Sequence, residues 1–500
     1  MDTRHAAGLG NRAQTPGLST DLDRLEWLLD IGAVAEIMPV LHEAAVRTPH
    51  DPATNYLLAR AALAIDNGRL ASTLLKAAGN GANTRLRLKI EWARAELHRR
   101  QKRNAQALAE FESIARRGHF TDKAIAGKAL FGMARLHVEA GRPELAHRAL
   151  EKAATLYPND PEIGVGLAEF RAAAGDAAGA LAALTAIGSL PVSNSSASAL
   201  LLVRIGAVFQ RLAHSEDAER YYRAALQADP DDDEASTRLA SLVLRRPGGT
   251  AEAAELLNRV LSRHPDDATA RHFLAAATGG TPPERASDSY VRQVFDSAAA
   301  HFDEKLLGEL KYGGPALLSN ALARTYGPGA GGFDILDAGC GTGLCGPILR
   351  PYAATLAGID LSPGMLDRAR ARGVYDTLAE TEITRYLADR RHAYDIVSAA
   401  DVLVYFGDVR PLLQATAGAL RAGGRFFCTV ERLDPSAAAA ARTAGFALNA
   451  TGRFSHTRDY LLETAAAAGL RINLCEDAVI RHEGGSPVAG YALMIEKPSA

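Results

Sequence analysis

The sequence has little cysteine, and the cysteine it has forms no pairing pattern. All four (Cys340, Cys345, Cys428 and Cys475) fall in the C-terminal part and none stand as C-x-x-C, which argues against a disulfide framework, a paired zinc site or a redox dithiol. They are expected to be reduced, mostly buried thiols, and no metal is expected. Long apolar runs are missing too: no stretch reaches the roughly 18 residues that span a bilayer. The segment Met1 to Thr20 is polar and lacks the apolar core of a signal peptide, so the default compartment is the cytoplasm, with no membrane partner. Charge of one sign is also scarce. The 56 Lys and Arg against 58 Asp and Glu leave a formal net charge of -2, which gives no global attraction for nucleic acid, and none is expected as a partner.

What is present is a soluble globular composition. Five hundred residues at 47% hydrophobic content call for two or more domains with sizeable cores. The chain divides by its grammar. From about Leu22 to Thr278 it is rich in Ala, Leu and Arg, with apolar residues at helical spacing, and this half is expected to be all helix. Gly141, Ala146, Ala153 and Pro158 mark a unit that returns about 34 residues on as Gly175 and Ala180, with the proline displaced to Pro191. Further copies run through Gly206, Ala218, Ala225 and Pro230, then Ala253 and Pro265; weaker ones precede them at Gly32, Ala44 and Pro49, at Gly68, and at Trp92, Ala95, Ala107 and Phe111. Small residues let paired helices approach, glycine relaxes the turn and proline ends the second helix. The charge runs His98 to Arg103 and Asp231 to Glu234 read as a solvated helix end and a helix cap.

Turn formers around Gly279 to Pro283 suit a linker, and beyond it strand and helix alternate. Ile335 to Ala338, Thr355 to Ile359, Asp395 to Ala399 and Arg425 to Val430 read as strands of a parallel sheet covered on both faces. Leu470 to Leu474 and Tyr491 to Glu496 read as a final antiparallel pair joined by a long loop. After Ile335 and Leu336, Asp337 leads into Gly339, Gly341 and Gly343, a strand running into a glycine-rich turn that lets a ligand approach the backbone. About 17 residues beyond Gly343, Asp360 closes the next apolar run, near the spacing at which an acid accepts from ribose hydroxyls.

Two cofactor classes fit that turn. Gly341-x-Gly343-x-x-Gly346 matches the dinucleotide fingerprint of an NAD(P)-dependent oxidoreductase. Against it, Asp337 would repel a pyrophosphate but suits an ammonium, Gly339 extends the motif to G-x-G-x-G, and the last strand pair is expected to be antiparallel. The stretch from about Tyr290 to Glu496 resembles class I S-adenosylmethionine-dependent methyltransferases, in the signature D-x-G-x-G-x-G at Asp337 to Gly343, in Ile359 to Leu366, in Ala399 to Tyr405, in Gly423 to Arg425, and in Phe295-Asp296 with Phe302-Asp303. The helical half resembles a tetratricopeptide repeat array. Together they imply a tetratricopeptide-type solenoid over 21–278, a linker over 279–288 and a Rossmann-like α/β methyltransferase domain over 289–498, after a disordered 1–20.

By that resemblance S-adenosyl-L-methionine is the cofactor. Gly339, Gly341 and Gly343 approach its amino-acid moiety, Asp337 supports the loop or the ammonium, Asp360 takes the ribose hydroxyls and Glu382 meets the adenine amino group. Asp401 and Tyr405 face the reacting centre, and Phe302 and Tyr312 lie over the cofactor as a lid. A sulfonium methyl is already activated, so the protein's tasks are orientation, water exclusion and, for a protonated nucleophile, a base. The base candidates are His456, first on chemistry, then Glu431 and Tyr405. Arg481, Glu483, Gly484 and Gly485 are expected in a loop that contacts an anionic substrate or closes the site. The repeat half is either a concave surface for a protein or peptide partner or the substrate, or a scaffold that packs or dimerises. A repeat scaffold with a non-catalytic cofactor domain is the remaining alternative.

Overall fold

The computed structural model describes residues 22–30, 34–187, 196–279, 282–298, 302–304, 310–327, 331–437, 439–483 and 486–499. The expected disordered stretch 1–20, Gly32, Pro191, Gly280 with Thr281, and Gly484 with Gly485 lie outside them. The chain forms two compact units, Met1–Ala235 and Ser236–Ala500.

The first unit is built of helix pairs. In Lys123–Glu139 with Pro143–Leu156, and in Pro161–Ala173 with Ala177–Ile187, the connecting turn holds one left-handed residue, Gly141 at φ +65° and Gly175 at φ +78°. Ala146, Ala153 and Ala180 are fully buried, as expected of side chains small enough for the helices to close on each other. The next copy departs from the spacing-based expectation. Between Ser196–Arg211 and Ser215–Ala228 the left-handed residue is Ala213, at φ +61°, and Gly206 lies inside the first helix. A Cβ there would come 2.5 Å from Tyr222 Cε1, so Gly206 serves helix approach and not the turn. The run Asp231 to Glu234 caps as expected, with Asp232 Oδ1 accepting from the Ala235 amide at 2.7 Å.

The second unit begins within the helix Asp233–Val243 and continues with helices Thr250–Arg263, Ala268–Thr278 and Asp288–Ala298. Its sheet comprises β1 (Phe333–Ala338), β2 (Ala353–Asp360), β3 (Thr377–Glu380), β4 (Tyr394–Ala399), β5 (Leu420–Arg432), β6 (Phe446–Leu448), β7 (Phe454–His456), β8 (Arg471–Glu483) and β9 (Ser486–Glu496). Their order is β3-β2-β1-β4-β5, parallel throughout, and β5 then pairs with β7 and, antiparallel, with β9, which carries β8. Both faces are covered: Leu336, Val397, Phe426 and Leu493 enter one core, and Ile335, Ile396, Phe427 and Met494 the other. Strands buried on both sides read as continuous apolar runs, which is why β1, β2, β4 and β5 are visible in the sequence.

The expected long loop before the last strand is largely strand. β8 and β9 form an extended antiparallel ladder from Arg471↔Glu496 to Glu483↔Ser486. β8 is the outer strand, half exposed and rich in charge, so it lacks the apolar run that announces a central strand. The short β6 and β7, an antiparallel pair that extends the sheet through β5, carry no such run either.

Candidate active site

Parallel strands point their C-terminal ends to one edge, and there Asp337 ends its run in β1 and Asp360 in β2. Between them the chain turns through Gly339 (φ +70°) and Gly341 (φ +54°), a conformation that disfavours side chains. At Gly339 a Cβ would come 2.5 Å from Val402 Cγ2, whereas at Gly341 the nearest atom is Phe302 Cε1 at 4.0 Å. Only the second glycine leaves room for a ligand. The Gly341 amide donates to Asp360 Oδ2 at 2.9 Å, and Oδ1 accepts from the Ser362 amide at 2.9 Å. The strand end and the turn are thereby locked to each other.

These residues line a cavity of about 230 Å³ that also takes in Phe295, Phe302, Tyr312, Glu382, Asp401, Tyr405, Arg453 and Arg481. Asp337 is 2% exposed. Burial pushes its carboxyl up to about 7; the Tyr375 hydroxyl, donating to Oδ2 at 2.6 Å, pulls it down and Asp360 pushes it up. Burial also raises Asp360, against the backbone amides that hold it. A buried carboxyl beside a half-buried one suits a positively charged or hydroxyl-bearing ligand.

Glu382 lines the cavity and also caps the helix Ile383–Ala388, accepting from the Thr384 and Arg385 amides at 2.9 Å each. Phe302 stands over Gly341, held by its neighbour Asp303, which accepts from Thr342 Oγ1 and from Arg372. Asp296 accepts from Ser362 Oγ at 2.5 Å, tying the helix Asp288–Ala298 to the turn after β2. Gly343 does not line the cavity; a Cβ there would press on Tyr375, Arg372 and Ala369 at 3.0 to 3.3 Å.

Away from the glycine turn the wall is ionic. Arg481, 1% exposed, donates through Nη1 to Asp401 Oδ1 at 2.7 Å, through Nη2 to Glu431, and through Nε to Glu483 Oε1 at 2.9 Å. Arg453 reaches the same Glu483 oxygen and lies against the Tyr405 hydroxyl. Tyr312 sits among Asp401, Asp337, Cys345 and Arg481, its hydroxyl driven up by burial. Asp401 is left-handed at φ +60°, with its amide donating to Thr429 Oγ1 at 2.8 Å. Such a conformation costs a residue that is not glycine about 1 kcal/mol.

The base candidates fare unevenly. His456 is fully buried and does not line the cavity. Its Nε2 meets the Gly407 carbonyl at 3.0 Å, its ring stacks on Tyr460 at 6.0 Å, and burial pushes it down to about 4. An imidazole that cannot meet substrate is a poor base whatever its intrinsic chemistry. Glu431 is likewise off the cavity and held by Arg481. Tyr405 alone of the three lines the cavity. Sequence reasoning missed Tyr375 and Arg285. Arg285 falls in the expected linker, yet it bridges to Phe406, and the neighbouring Ala286 amide donates to the Tyr405 carbonyl at 2.8 Å. No periodicity marks such a residue. The four cysteines are free, and among the described residues no cluster of His, Cys, Asp and Glu is arranged to hold a metal. Among them, too, no helix is long and apolar enough to cross a membrane.

Comparison with known proteins agrees with this geometry. Residues 336–426 match the methyltransferase domain family, and residues 137–201 and 215–277 the tetratricopeptide repeat family. The ubiquinone biosynthesis O-methyltransferase of Hydrogenovibrio crunogenus is 33% identical over 137 residues, 26% of this chain and 56% of that protein. Its namesake from Vibrio parahaemolyticus is 27% identical over 161 residues, 30% of this chain and 66% of that protein. The chain thus spans less than two thirds of the length of either relative. Among solved structures, an S-adenosylmethionine dependent methyltransferase from Mesorhizobium loti aligns over 36% of this chain and 96% of its own at 24% identity and a TM-score of 0.30. The Cut9-Hcn1 tetramer structure of the APC/C aligns over 52% of this chain and 49% of its own at 17% identity and a TM-score of 0.40. The aspartate-flanked glycine turn at the strand ends and the family matches agree: the chain carries a class I methyltransferase domain preceded by tetratricopeptide repeats.

Proposed function

We propose that the chain transfers the methyl group of S-adenosylmethionine to an acceptor, and that the repeats bind the partner or substrate that brings it. The observation that carries this reading is the Gly341 amide held on Asp360 beside the buried carboxyl of Asp337. Bound there, the cofactor supplies an activated sulfonium methyl. Asp337 meets its ammonium, Asp360 its ribose hydroxyls through the lone pairs the backbone leaves free, and Glu382 with Ile383 the adenine edge. Gly341 gives the close approach, and Phe302 covers it. Tyr312, Asp401, Tyr405 and Arg453 form the wall on which the acceptor rests. With His456 and Glu431 off the cavity, the chain's own contribution is orientation and exclusion of water, which suffice for an activated methyl. The O-methyl chemistry in the relatives' names makes an oxygen acceptor the first to test.

Calorimetric titration with S-adenosylmethionine, with NADH as control, tests the reading, and saturable binding of NADH alone would overturn it. The pH dependence gives a second check. Asp337 holds its proton below about 7 and must lose it to face an ammonium. Affinity is therefore expected to be flat above that pH and to fall by up to about tenfold per unit below it. Labelled methyl donor incubated with cell extract then identifies whether protein or small molecules take the label.

A further inference from the structure

The last helix of the repeat region, Ala268–Thr278, packs within the second unit, where its residues meet two elements of the cavity wall. His272 is 5% exposed, and its ring stacks on Tyr290 with centroids 4.0 Å apart and planes 21° off parallel. Its Nε2 lies 2.8 Å from the Gly452 carbonyl oxygen. Burial holds the imidazole below its ordinary value, so the neutral ring donates Nε2–H to that carbonyl. Gly452 is left-handed at φ +77°, and a Cβ on it would come 2.9 Å from the Tyr290 hydroxyl and 3.3 Å from Phe273. The turn it belongs to is closed by the Gly452 amide on the Asn449 carbonyl at 2.9 Å and the Asn449 amide on the Arg453 carbonyl at 2.8 Å. The next residue, Arg453, carries its side chain into the cavity wall. On the other side, Phe273 packs with Tyr290 and Val291 of the helix Asp288–Ala298, which supplies Val294 and Phe295 to the same cavity.

We propose that His272 is a positioning residue of the methyltransferase site: it fixes the 449–453 turn, and so the placement of Arg453 on the acceptor wall, from within the repeat region. This rests on the functional reading above, in which that wall receives the acceptor. The repeats then do more than recruit a partner, because their final helix completes the acceptor end.

The test compares His272→Ala and His272→Gln with the unaltered full chain. Titration with S-adenosylmethionine reads the cofactor end, and label transfer across a dilution series of cell extract reads the acceptor end. His272→Ala is expected to keep cofactor affinity within about twofold and to raise the extract concentration for half-maximal transfer by roughly tenfold. Hydrogen exchange at amides 449–453 should accelerate. His272→Gln, whose side-chain amide donates to the same carbonyl, should restore most of both. Unchanged transfer and unchanged exchange in His272→Ala overturn the proposal, as does a loss of cofactor affinity as large as the loss of transfer. If the unaltered chain binds no S-adenosylmethionine, the functional reading fails, and the exchange measurement still decides whether His272 holds the turn. Should His272→Ala not fold, His272→Phe, which keeps a ring against Tyr290 but donates nothing to the Gly452 carbonyl, takes its place: faster exchange at 449–453 with weaker transfer supports the proposal, and no change in either overturns it.

Discussion

At the glycine-turn end of the cavity, Asp337, Gly339 and Gly341 come from one short stretch of chain and Asp360 from the end of the next strand, and the backbone does much of the holding. At the other end Asp401, Glu431, Arg453, Arg481 and Glu483 arrive from beyond β4, from β5, from the turn before β7 and from β8, and side-chain ion pairs hold them. The first end is rigid because strands and a turn dictate it. The second is rigid only while every charge keeps its partner, since a buried charge left alone is costly. On the proposed reading, the first construction serves the cofactor and the second the acceptor.

The largest expected effect tests that difference in holding. Arg481→Met leaves Asp401, Glu431 and Glu483 without their shared cation and should cost about 3–5 kcal/mol of stability, read by urea denaturation; a loss under about 1 kcal/mol would mean that the ionic wall does not depend on its arginine. Next is His456 in β7, against Tyr460 and the Gly407 carbonyl. Folded it titrates near 4, whereas unfolded it takes a proton near its ordinary value of about 6.5. Its contribution is therefore complete above about 6.5 and is lost as pH falls towards 4, by about 1.4 kcal/mol per unit. His456→Gln should flatten stability across that window while leaving cofactor affinity alone.

At the other end, Asp360→Ala removes the acceptor of the Gly341 amide together with the ligand's own contact. It should weaken S-adenosylmethionine binding by about a hundredfold or more in calorimetry, with little change in the melting of the ionic wall. The smallest effect sharpens the picture. Tyr375→Phe deletes the hydroxyl that steadies the ionised Asp337, which costs about 1 kcal/mol. The pH below which cofactor affinity declines should move upward from about 7 by less than about one unit.

The same contrast decides how much is legible in the sequence. Strands β1, β2, β4 and β5 are buried on both faces, so their apolar runs announce the sheet, and the aspartates that end the first two mark the proposed cofactor end of the cavity. The acceptor end has no such grammar. Glu483 and Arg481 read as loop residues because β8 is an outer strand whose charges break the apolar pattern. His456 reads as a base because its intrinsic chemistry suits pH 7, and nothing in its neighbours Ser455 and Thr457 reveals that it faces Tyr460 and the Gly407 carbonyl. Gly206 reads as a turn glycine because spacing alone does not separate a residue that frees the backbone from one that makes room for Tyr222.

The hairpin of β8 and β9 carries a further consequence, one of timing. During synthesis β5 emerges long before Arg481 and before β9, its antiparallel neighbour. Until then the nascent domain shows an open strand edge, which invites pairing with other chains, and two carboxylates, Asp401 and Glu431, that still await their cation. The glycine turn and Asp360 are already out by that stage. On the proposed reading, the glycine turn and Asp360 that would hold the cofactor are therefore made before the acceptor wall is finished, and cofactor present during translation would favour the partly made domain over its aggregates.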